Sequence, residues 1–361
     1  MTKIKNKTVE RWKKGVCGEK QMELKEFENR KKVEENVRKT YPQDWKSYNP
    51  AKMQERLIVE ELLLELLENL QEKPSWIKSP FTINDKIFIM WLYCYLGKSS
   101  RGTVAEVEIA RRRNLISRAC HFNSILNMFR DSSLTKTLLN LVEISALPLR
   151  QFEESASVDA TGFSINNFSR WFDIRTKEDS KKRDWLKLNI ISGNKTNIVI
   201  SLIVSEGTAG DSPALIPLVK SAGRNFQLKD VCADKAYLSR NNLNAIAGIG
   251  ATPFIPFKSN SKENARGCRL WKLMYQFCHD NKEEFDRHYH QRSKIESTIW
   301  MIKKNYRNSI KTKTFTSQIN ELLVKCLCHN LAVLVQESFE LGLTIDFKEC
   351  FESYVAQAES L

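Results

Sequence analysis

Hydrophobic positions in the first part of the chain recur at helical spacing. Leucines form an apolar stripe with glutamates on the other side of the same segment: Leu57, Leu62, Leu63, Leu66, Leu67 and Leu70. A second apolar run, Ile87 to Leu96, ends at Gly97, and Asn84 or Asp85 is the expected N-terminal cap. Similar patterns over residues 101–113, 123–129 and 134–145 complete a predicted helical region spanning residues 51–150.

The pattern changes after Pro148, where short β-like runs replace the helical repeat. Three predicted strands follow in succession, over residues 157–163, 185–192 and 197–204. Gly210-Asp211-Ser212-Pro213 then predicts a helix start, with Asp211 or Ser212 as cap. A strand at 231–234, a helix near residue 239, an edge strand at 252–257 and a mostly helical segment over 265–342 complete the order. A β-meander followed by βα units predicts an α+β domain, and this is also the order of the ribonuclease H-like fold.

Charge points to a polyanionic partner. The 361 residues carry a formal net charge of +14 with a pI of about 9.3, and residues 1–50 alone hold 14 Lys/Arg against 8 Asp/Glu. An anionic membrane and nucleic acid are the two candidates. No run reaches the length of a membrane span and no amphipathic helix has a broad Trp/Phe/Leu face, so nucleic acid is favoured. No secretory signal is evident, and we expect a cytoplasmic protein.

Arg111, Arg112 and Arg113 lie among the short predicted helices. Short helices with an arginine cluster suit a helix-turn-helix-like DNA-binding module, and equally a plain bundle with a solvated basic face. The chain is therefore divided into a basic N-terminal segment (1–50), a helical region that is a candidate for DNA binding (51–150), a catalytic domain with C-terminal helices (151–345) and a tail (346–361).

Nine cysteines, an odd number, indicate free thiols in a reducing compartment. Cys326, Cys328 and His329 form a C-x-C-H cluster, for which zinc binding needs a second pair of ligands. The only nearby option is Cys268, Cys278 and His279, and neither spacing matches a common zinc module. Ordinary helix packing is the expected role of these residues.

Three acidic residues are candidates for a metal site. Asp159 lies within a short strand and Asp234 ends another, where a lone carboxylate is costly without a cation, although many strand-end aspartates merely cap. Glu296 follows Tyr289 and Arg292 and precedes Lys303, at steps of +3, +4 and +7 that share one helical face. An exposed helix with an Arg292–Glu296 ion pair is the simpler explanation of that stripe.

These motifs together resemble a known family. Tyr289, Arg292, Glu296 and Lys303 fill every position of Y-(2)-R-(3)-E-(6)-K, the signature of one group of bacterial and archaeal insertion-sequence transposases with a DDE catalytic domain. Ser157-Val-Asp-Ala-Thr-Gly-Phe163 is similar to the strand of the first aspartate in that family. Cys232-Ala-Asp-Lys-Ala-Tyr237 is similar to the motif of the second.

The resemblance implies a fold, a reaction and partners. It implies a ribonuclease H-like catalytic domain, a mixed β-sheet flanked by helices, in which Asp159, Asp234 and Glu296 hold two Mg²⁺ ions, with Mn²⁺ as a substitute. It implies cleavage at the transposon ends and joining of 3′-hydroxyl ends to target DNA. Tyr289, Arg292 and Lys303 would hold the strand end. The implied partners are the terminal inverted repeats and target DNA, with a homodimer in the DNA complex and no small-molecule substrate.

Two other functions remain compatible with the sequence. A ribonuclease H-like nuclease that cuts without strand transfer needs the same carboxylates, although it has less use for the Tyr-Arg-Lys stripe. An inactive, domesticated DNA-binding derivative predicts the loss of a carboxylate, and all three are present.

Overall fold

The structure is a computed structural model that describes residues 44–70, 80–165, 185–264 and 266–359. The chain divides into two compact units, Met1–Tyr48 and Asn49–Leu361. Most of the basic segment predicted over residues 1–50 lies outside the described residues. The sheet, the helices around it and the candidate site all belong to the second unit.

Helices precede and follow a single described sheet. Those before it are α1 to α5, at Trp45–Glu68, Ile83–Leu96, Ser100–Arg112, Phe122–Arg130 and Ser133–Ala146. Those that follow its third strand are α6 to α12, at Ser212–Asn225, Arg240–Gly248, Arg269–Asp280, Lys282–Tyr289, Ser293–Tyr306, Phe315–Leu341 and Phe347–Glu359. The helical region and the helical C-terminal part agree with the periodicity of the sequence.

The sheet has five strands in the order β3-β2-β1-β4-β5. They are β1 to β5, at Ser155–Ser164, Trp185–Gly193, Val199–Glu206, Asp230–Ala233 and Thr252–Phe254. Strands β1, β2 and β3 are antiparallel neighbours, whereas β4 pairs parallel with β1 and β5 parallel with β4. The predicted meander and βα units are present, the class is a mixed α+β fold, and β5 lies at the edge.

One hydrophobic core joins the helices before the sheet to the sheet itself. Its buried residues run from Ala51 to Cys350, and α11 passes through it with most of its length buried. Helix α11 is long and apolar enough to cross a membrane by length and composition, but 78% of its most apolar window is buried inside the protein. A core helix passes the same test, because it too is apolar on most of its circumference.

Two predicted helix caps differ from the structure. Helix α2 starts at Ile83 and is capped by Thr82, whose side chain accepts from the Asp85 N–H at 3.0 Å. Asp85 instead turns inward and accepts hydrogen bonds from Ser117. Asp211 does stand before α6 but makes no capping hydrogen bond, because its carboxylate pairs with the Lys187 ammonium at 2.8 Å.

The C-x-C-H cluster is packed into α11, as expected. Cys326, Cys328 and His329 are all buried. Burial raises the pKa of the Cys326 thiol to about 12. The His329 Nε2–H donates to the Asn197 carbonyl at 2.9 Å. Burial lowers the pKa of His329 to about 4, although this hydrogen bond opposes the fall. No zinc-like cluster of His, Cys, Asp or Glu forms anywhere in the described part of the chain.

Candidate active site

Asp159 lies in the middle of β1, the central strand. Its side chain is on the same face as Thr161 and Phe163, because alternate residues of a strand point to the same side. The Asp159 carboxylate accepts a hydrogen bond from the Ala160 N–H at 2.8 Å and is only 19% exposed. A carboxylate in this position needs a cation or further donors, since its charged form is partly removed from water.

Asp234 is brought beside Asp159 by the parallel pairing of β1 and β4. Val158 pairs with Ala233, so the next residues, Asp159 within β1 and Asp234 directly after β4, lie on neighbouring strands side by side. The Asp234 carboxylate caps the 3₁₀ turn Lys235–Tyr237 by accepting from the Lys235 N–H at 2.5 Å. The strand-end aspartate therefore does cap, and it does so within reach of Asp159's charge.

Glu296 reaches the same place from a helix. It lies in the first turn of α10, and its carboxylate accepts from Arg292 at 2.7 Å. Arg292 also donates to Asp159 at 2.9 Å, so a single guanidinium connects the strand carboxylate with the helix carboxylate. The predicted Arg292–Glu296 pair is therefore one half of a bridge to the sheet, which an isolated exposed helix would lack.

The pKa of Asp159 reflects this crowding. Burial raises it, and the neighbouring charges of Asp234 and Glu296 raise it further. The Ala160 N–H and the Arg292 guanidinium oppose that rise. Two carboxylates and one guanidinium thus act on Asp159, and the acidic side chains outnumber the cation.

Tyr289 and Arg292 do not lie on one continuous helix with Glu296, as the spacing predicted. Helix α9 ends at Tyr289, residues His290–Arg292 form a 3₁₀ turn, and α10 begins at Ser293. Tyr289 is half-buried and its ring is stacked at 6.3 Å from that of Phe285. Burial raises the pKa of Tyr289, and the charges of Arg292 and Asp234 also act on it, so the tyrosine borders the carboxylates.

Lys303, on α10, contacts β1 two residues along the strand from Asp159. Its ammonium donates to the Thr161 hydroxyl at 2.5 Å and lies 5.3 Å from the centroid of the Phe163 ring. Burial lowers the pKa of Lys303. The half-buried lysine therefore faces the same side of β1 as Asp159, and it is held there by residues of that strand.

A polar network that the sequence analysis did not identify joins the 3₁₀ turn to β1. The Ser155 hydroxyl donates to the Gln291 amide oxygen at 2.8 Å, and the Ser157 hydroxyl donates to Asn194 at 2.6 Å. The Asn194 amide donates to Ser155 at 3.2 Å, which closes the network. Since Gln291 precedes Arg292, these bonds fix the position of the turn that carries the bridging guanidinium. Its sequence signal, isolated Ser, Asn and Gln residues, is too common to predict it.

All three arginines of the triplet form ion pairs, two within α3 and one with α1. Arg111 pairs with Glu108 through two hydrogen bonds of 2.9 and 2.8 Å, and Arg112 shares that carboxylate at 2.9 Å. Arg113 pairs with the buried Glu60 at 2.6 Å. The cluster is exposed, but two of its charges are partly offset by Glu108 and the third has a partner in α1.

The donor set suits a hard divalent cation. Asp159, Asp234 and Glu296 supply carboxylate oxygens, which Mg²⁺ and Mn²⁺ prefer. Arg292 already occupies a cation's position between two of them, and its buried Nε has no hydrogen-bond partner among the described residues. The buried Tyr237 hydroxyl beside the aspartates lacks one in the same part of the chain. Within the described ranges, no three His, Cys, Asp or Glu side chains are grouped closely enough to hold a metal ion.

A protein-family model matches the part of the chain that contains this site. The family described as "Transposase DDE domain" matches residues 150–331, half of the chain, and this range contains all three acidic residues. Among solved structures, the cryo-EM structure of a piggyBac transposase synaptic complex with hairpin DNA is similar, at 11% identity and a TM-score of 0.42. That alignment covers 85% of this chain and 82% of the other. No curated protein matches the chain.

Proposed function

The chain belongs to the transposase DDE domain family, and on that premise we propose that it is the DNA transposase of an insertion sequence, of the group with the Y-(2)-R-(3)-E-(6)-K signature. The single observation that carries the proposal is the bridge from Asp159 through Arg292 to Glu296. It unites a strand carboxylate with two signature residues, and the β1–β4 pairing adds Asp234.

The proposed catalytic domain has a ribonuclease H-like fold. Support comes from the antiparallel meander of β1, β2 and β3, followed through helical crossovers by β4, which pairs parallel with β1, and β5, which pairs parallel with β4. This topology places the end of β4 beside the middle of β1, where α10 can contribute a third carboxylate. The arrangement is the one that the order of the predicted elements led us to expect.

We assign the two Mg²⁺ ions, or Mn²⁺ in their place, to Asp159, Asp234 and Glu296. Such ions, when bound, activate water or a 3′-hydroxyl and stabilise the leaving oxygen in an in-line displacement at phosphorus. The chain's own residues prepare the site for cations. Burial and like charge make the Asp159 carboxylate costly to ionise alone, so a cation beside it is strongly favoured.

Arg292 and Lys303, the two basic residues of the signature, have a second role, which is to bind the DNA strand. Once divalent cations neutralise Asp159 and Glu296, Arg292 no longer needs both carboxylates, and its guanidinium is free to bind a phosphate. Lys303 lies on the same face of β1 and offers a second ammonium to the backbone. Tyr289, at the border of the site, provides a ring and a hydroxyl to a nucleotide. The three together would hold a strand end against the carboxylates.

The proposed partners are the element's terminal inverted repeats and target DNA, with a homodimer in the DNA complex, because transposition needs two ends held together. The surplus of positive charge supports a polyanionic partner. We place the protein in the cytoplasm, associated with DNA, with no small-molecule substrate and no membrane.

The decisive experiment is a cleavage and strand-transfer assay on a labelled duplex that carries the terminal repeat flanking the gene. Wild type and Glu296→Ala are compared in Mg²⁺, in Mn²⁺ and in EDTA. Metal-dependent nicking with a joined product, both absent from the variant, is expected. Cutting without joining would favour the nuclease alternative, and DNA binding without any cutting would favour the inactive derivative.

A further inference from the structure

One face of α10 is exposed along its length and contains Glu296. The exposed residues follow helical spacing: Ser293, Glu296, Ser297, Trp300 and Lys304. The opposite face is buried: Ile295, Thr298, Ile302 and Tyr306. Trp300 lies four positions after Glu296, so the indole lies about 6 Å further along the helix axis, on the same side as the carboxylate.

Trp300 is unusual on such a face. It is 57% exposed, although α10 already packs through its opposite side. The Lys304 ammonium lies over the Trp300 ring, 4.3 Å from its centroid. A cation–π contact at an exposed site contributes only about 0.5–1 kcal/mol. This gain is small beside the free energy that burial of a large apolar side chain would provide. Stability of the folded chain therefore gives a weak reason for tryptophan at this position.

A nucleotide matches both groups of this pair. An indole offers a flat apolar face on which a base stacks, and an ammonium offers a partner for a phosphate. Paired bases within a duplex have their faces covered by neighbouring base pairs, so only an unpaired base is available for stacking. Lys303, on the same helix, adds positive charge close by, which favours a polyanion over an apolar protein partner.

We propose that Trp300 and Lys304 form a binding site for an unpaired nucleotide of the DNA end, with the base on the indole and the phosphate on the ammonium. The inference rests on the proposed function, since it is DNA bound at the carboxylates that would present a strand to α10. A nucleotide held one helical turn from Glu296 keeps the adjoining phosphodiester near the acidic residues. Stacking on the indole also prevents its base from pairing again with the opposite strand.

The test measures binding in EDTA, so that it does not depend on cleavage. Two probes are compared, a blunt duplex and the same duplex with a short single-stranded 3′ extension containing 2-aminopurine. Trp300→Leu removes the aromatic face and keeps apolar bulk, whereas Trp300→Phe keeps an aromatic face. Leu273→Ala, at an exposed apolar position of α8, is the matched control. Thermal unfolding and sedimentation of each variant report folding and oligomeric state.

Trp300→Leu is expected to weaken binding of the extended probe by about 5- to 150-fold, the range that corresponds to one stacked base, and to leave the blunt probe unaffected. Trp300→Phe should stay within a few fold of wild type and, like wild type, quench 2-aminopurine. Lys304→Ala should lower the salt dependence of extended-probe binding by about one phosphate contact, whereas Trp300→Leu should not.

Equal losses on both probes, or no loss on either, would overturn the site. So would a changed oligomeric state in Trp300→Leu with unaltered DNA affinity, which would assign the face to a second copy of the chain. The catalytic proposal is separable, because a wild-type protein that shows the stacking effect but no metal-dependent cleavage would retain this site and lose the function.

Discussion

The Arg292 guanidinium donates to the Asp159 carboxylate at 2.9 Å and so joins the 3₁₀ turn before α10 to the central strand of the sheet. Burial raises the pKa of Asp159, and this cation is one of the groups that oppose the rise. The same guanidinium reaches Glu296 at 2.7 Å. Arg292 is thus an internal counter-ion at the place where we propose a divalent cation, and the two cations would compete for the same carboxylates.

Removal of that counter-ion should make the fold depend on divalent cations. Arg292→Ala leaves Asp159 without its cation, and we expect a loss of about 1–3 kcal/mol in the free energy of unfolding at neutral pH. Mg²⁺ should restore more stability to the variant than it adds to wild type, since no arginine competes. Denaturant unfolding with and without MgCl₂ measures both effects. Arg292→Lys, which keeps a charge, should be intermediate, and identical Mg²⁺ stabilisation in all three proteins would contradict the competition.

The Asp159 carboxylate should be essential for cleavage and dispensable for DNA binding. Asp159→Asn keeps the shape of the side chain and removes its charge, so we expect strand cleavage to fall by roughly three orders of magnitude or more. Affinity for the terminal repeat in EDTA should change little. Asp230→Asn is the matched control, because Asp230 lies at the other end of β4 and pairs with His288. Full cleavage activity in Asp159→Asn would remove this residue from the proposed metal site.

The residues of the candidate site are easier to propose from the sequence than the way in which they are held. Asp159, Asp234 and Glu296 were proposed from their resemblance to the family's motifs, because local patterns alone fit capping aspartates and an exposed helix equally well. Parallel pairing of β1 with β4 brings the aspartates together over a long stretch of chain, and no local periodicity encodes it. The bridge of Arg292 to Asp159 is equally non-local, whereas its pairing with Glu296 follows from a spacing of four residues.

The uniform helical stripe was the main structural error, and it has a physical origin. Spacing alone cannot show that the chain tightens into a 3₁₀ turn at His290–Arg292. Bonds from Ser155 and Asn194 to the Gln291 amide fix that turn. Polar residues in such a tertiary network carry no hydrophobic signal. The same is true of Asp85, which was expected to cap α2 but instead accepts from Ser117, on a segment distant in sequence.

Lys303 should contribute one phosphate contact. Lys303→Ala is expected to weaken binding to the terminal repeat and to lower the slope of log affinity against log salt by about 0.9. Filter binding or fluorescence anisotropy over a series of salt concentrations gives the slope. Thr161→Val removes the hydroxyl that holds the ammonium but keeps the charge, so its slope should equal that of wild type. An unchanged slope in Lys303→Ala would show that the lysine only packs on Phe163 and Thr161.

At the arginine cluster of α3, two substitutions are expected to change DNA affinity in opposite directions. Arg111 and Arg112 share the Glu108 carboxylate, which lowers their attraction for phosphate. Replacing both by alanine should weaken DNA binding and its salt dependence, and Glu108→Gln should strengthen binding by freeing two guanidinium groups. Arg113 is left in place because it pairs with the buried Glu60. Unaltered affinity in both variants would make the helical region a scaffold rather than a DNA-binding surface.

Glu337 should make stability fall as pH rises. Burial, together with the charges of Glu340 and Glu153, raises the pKa of Glu337 to about 7 from an ordinary value of 4.5. Between these two pH values the folded chain holds a proton that the unfolded chain has released, so the free energy of unfolding decreases with pH across this window. Well above pH 7 the loss approaches its full value of about 3 kcal/mol.

Glu337→Gln removes this titration and keeps the shape of the side chain. Denaturant unfolding should therefore show the variant more stable than wild type at pH 8 by about 3 kcal/mol and nearly equal to it at pH 4.5. Glu340→Gln, at an exposed position one turn along α11, removes only a neighbouring charge and should show a smaller difference of the same sign. Parallel stability profiles for Glu337→Gln and wild type would mean that the Glu337 carboxyl titrates alike in the folded and unfolded chain, and that water reaches it within the fold.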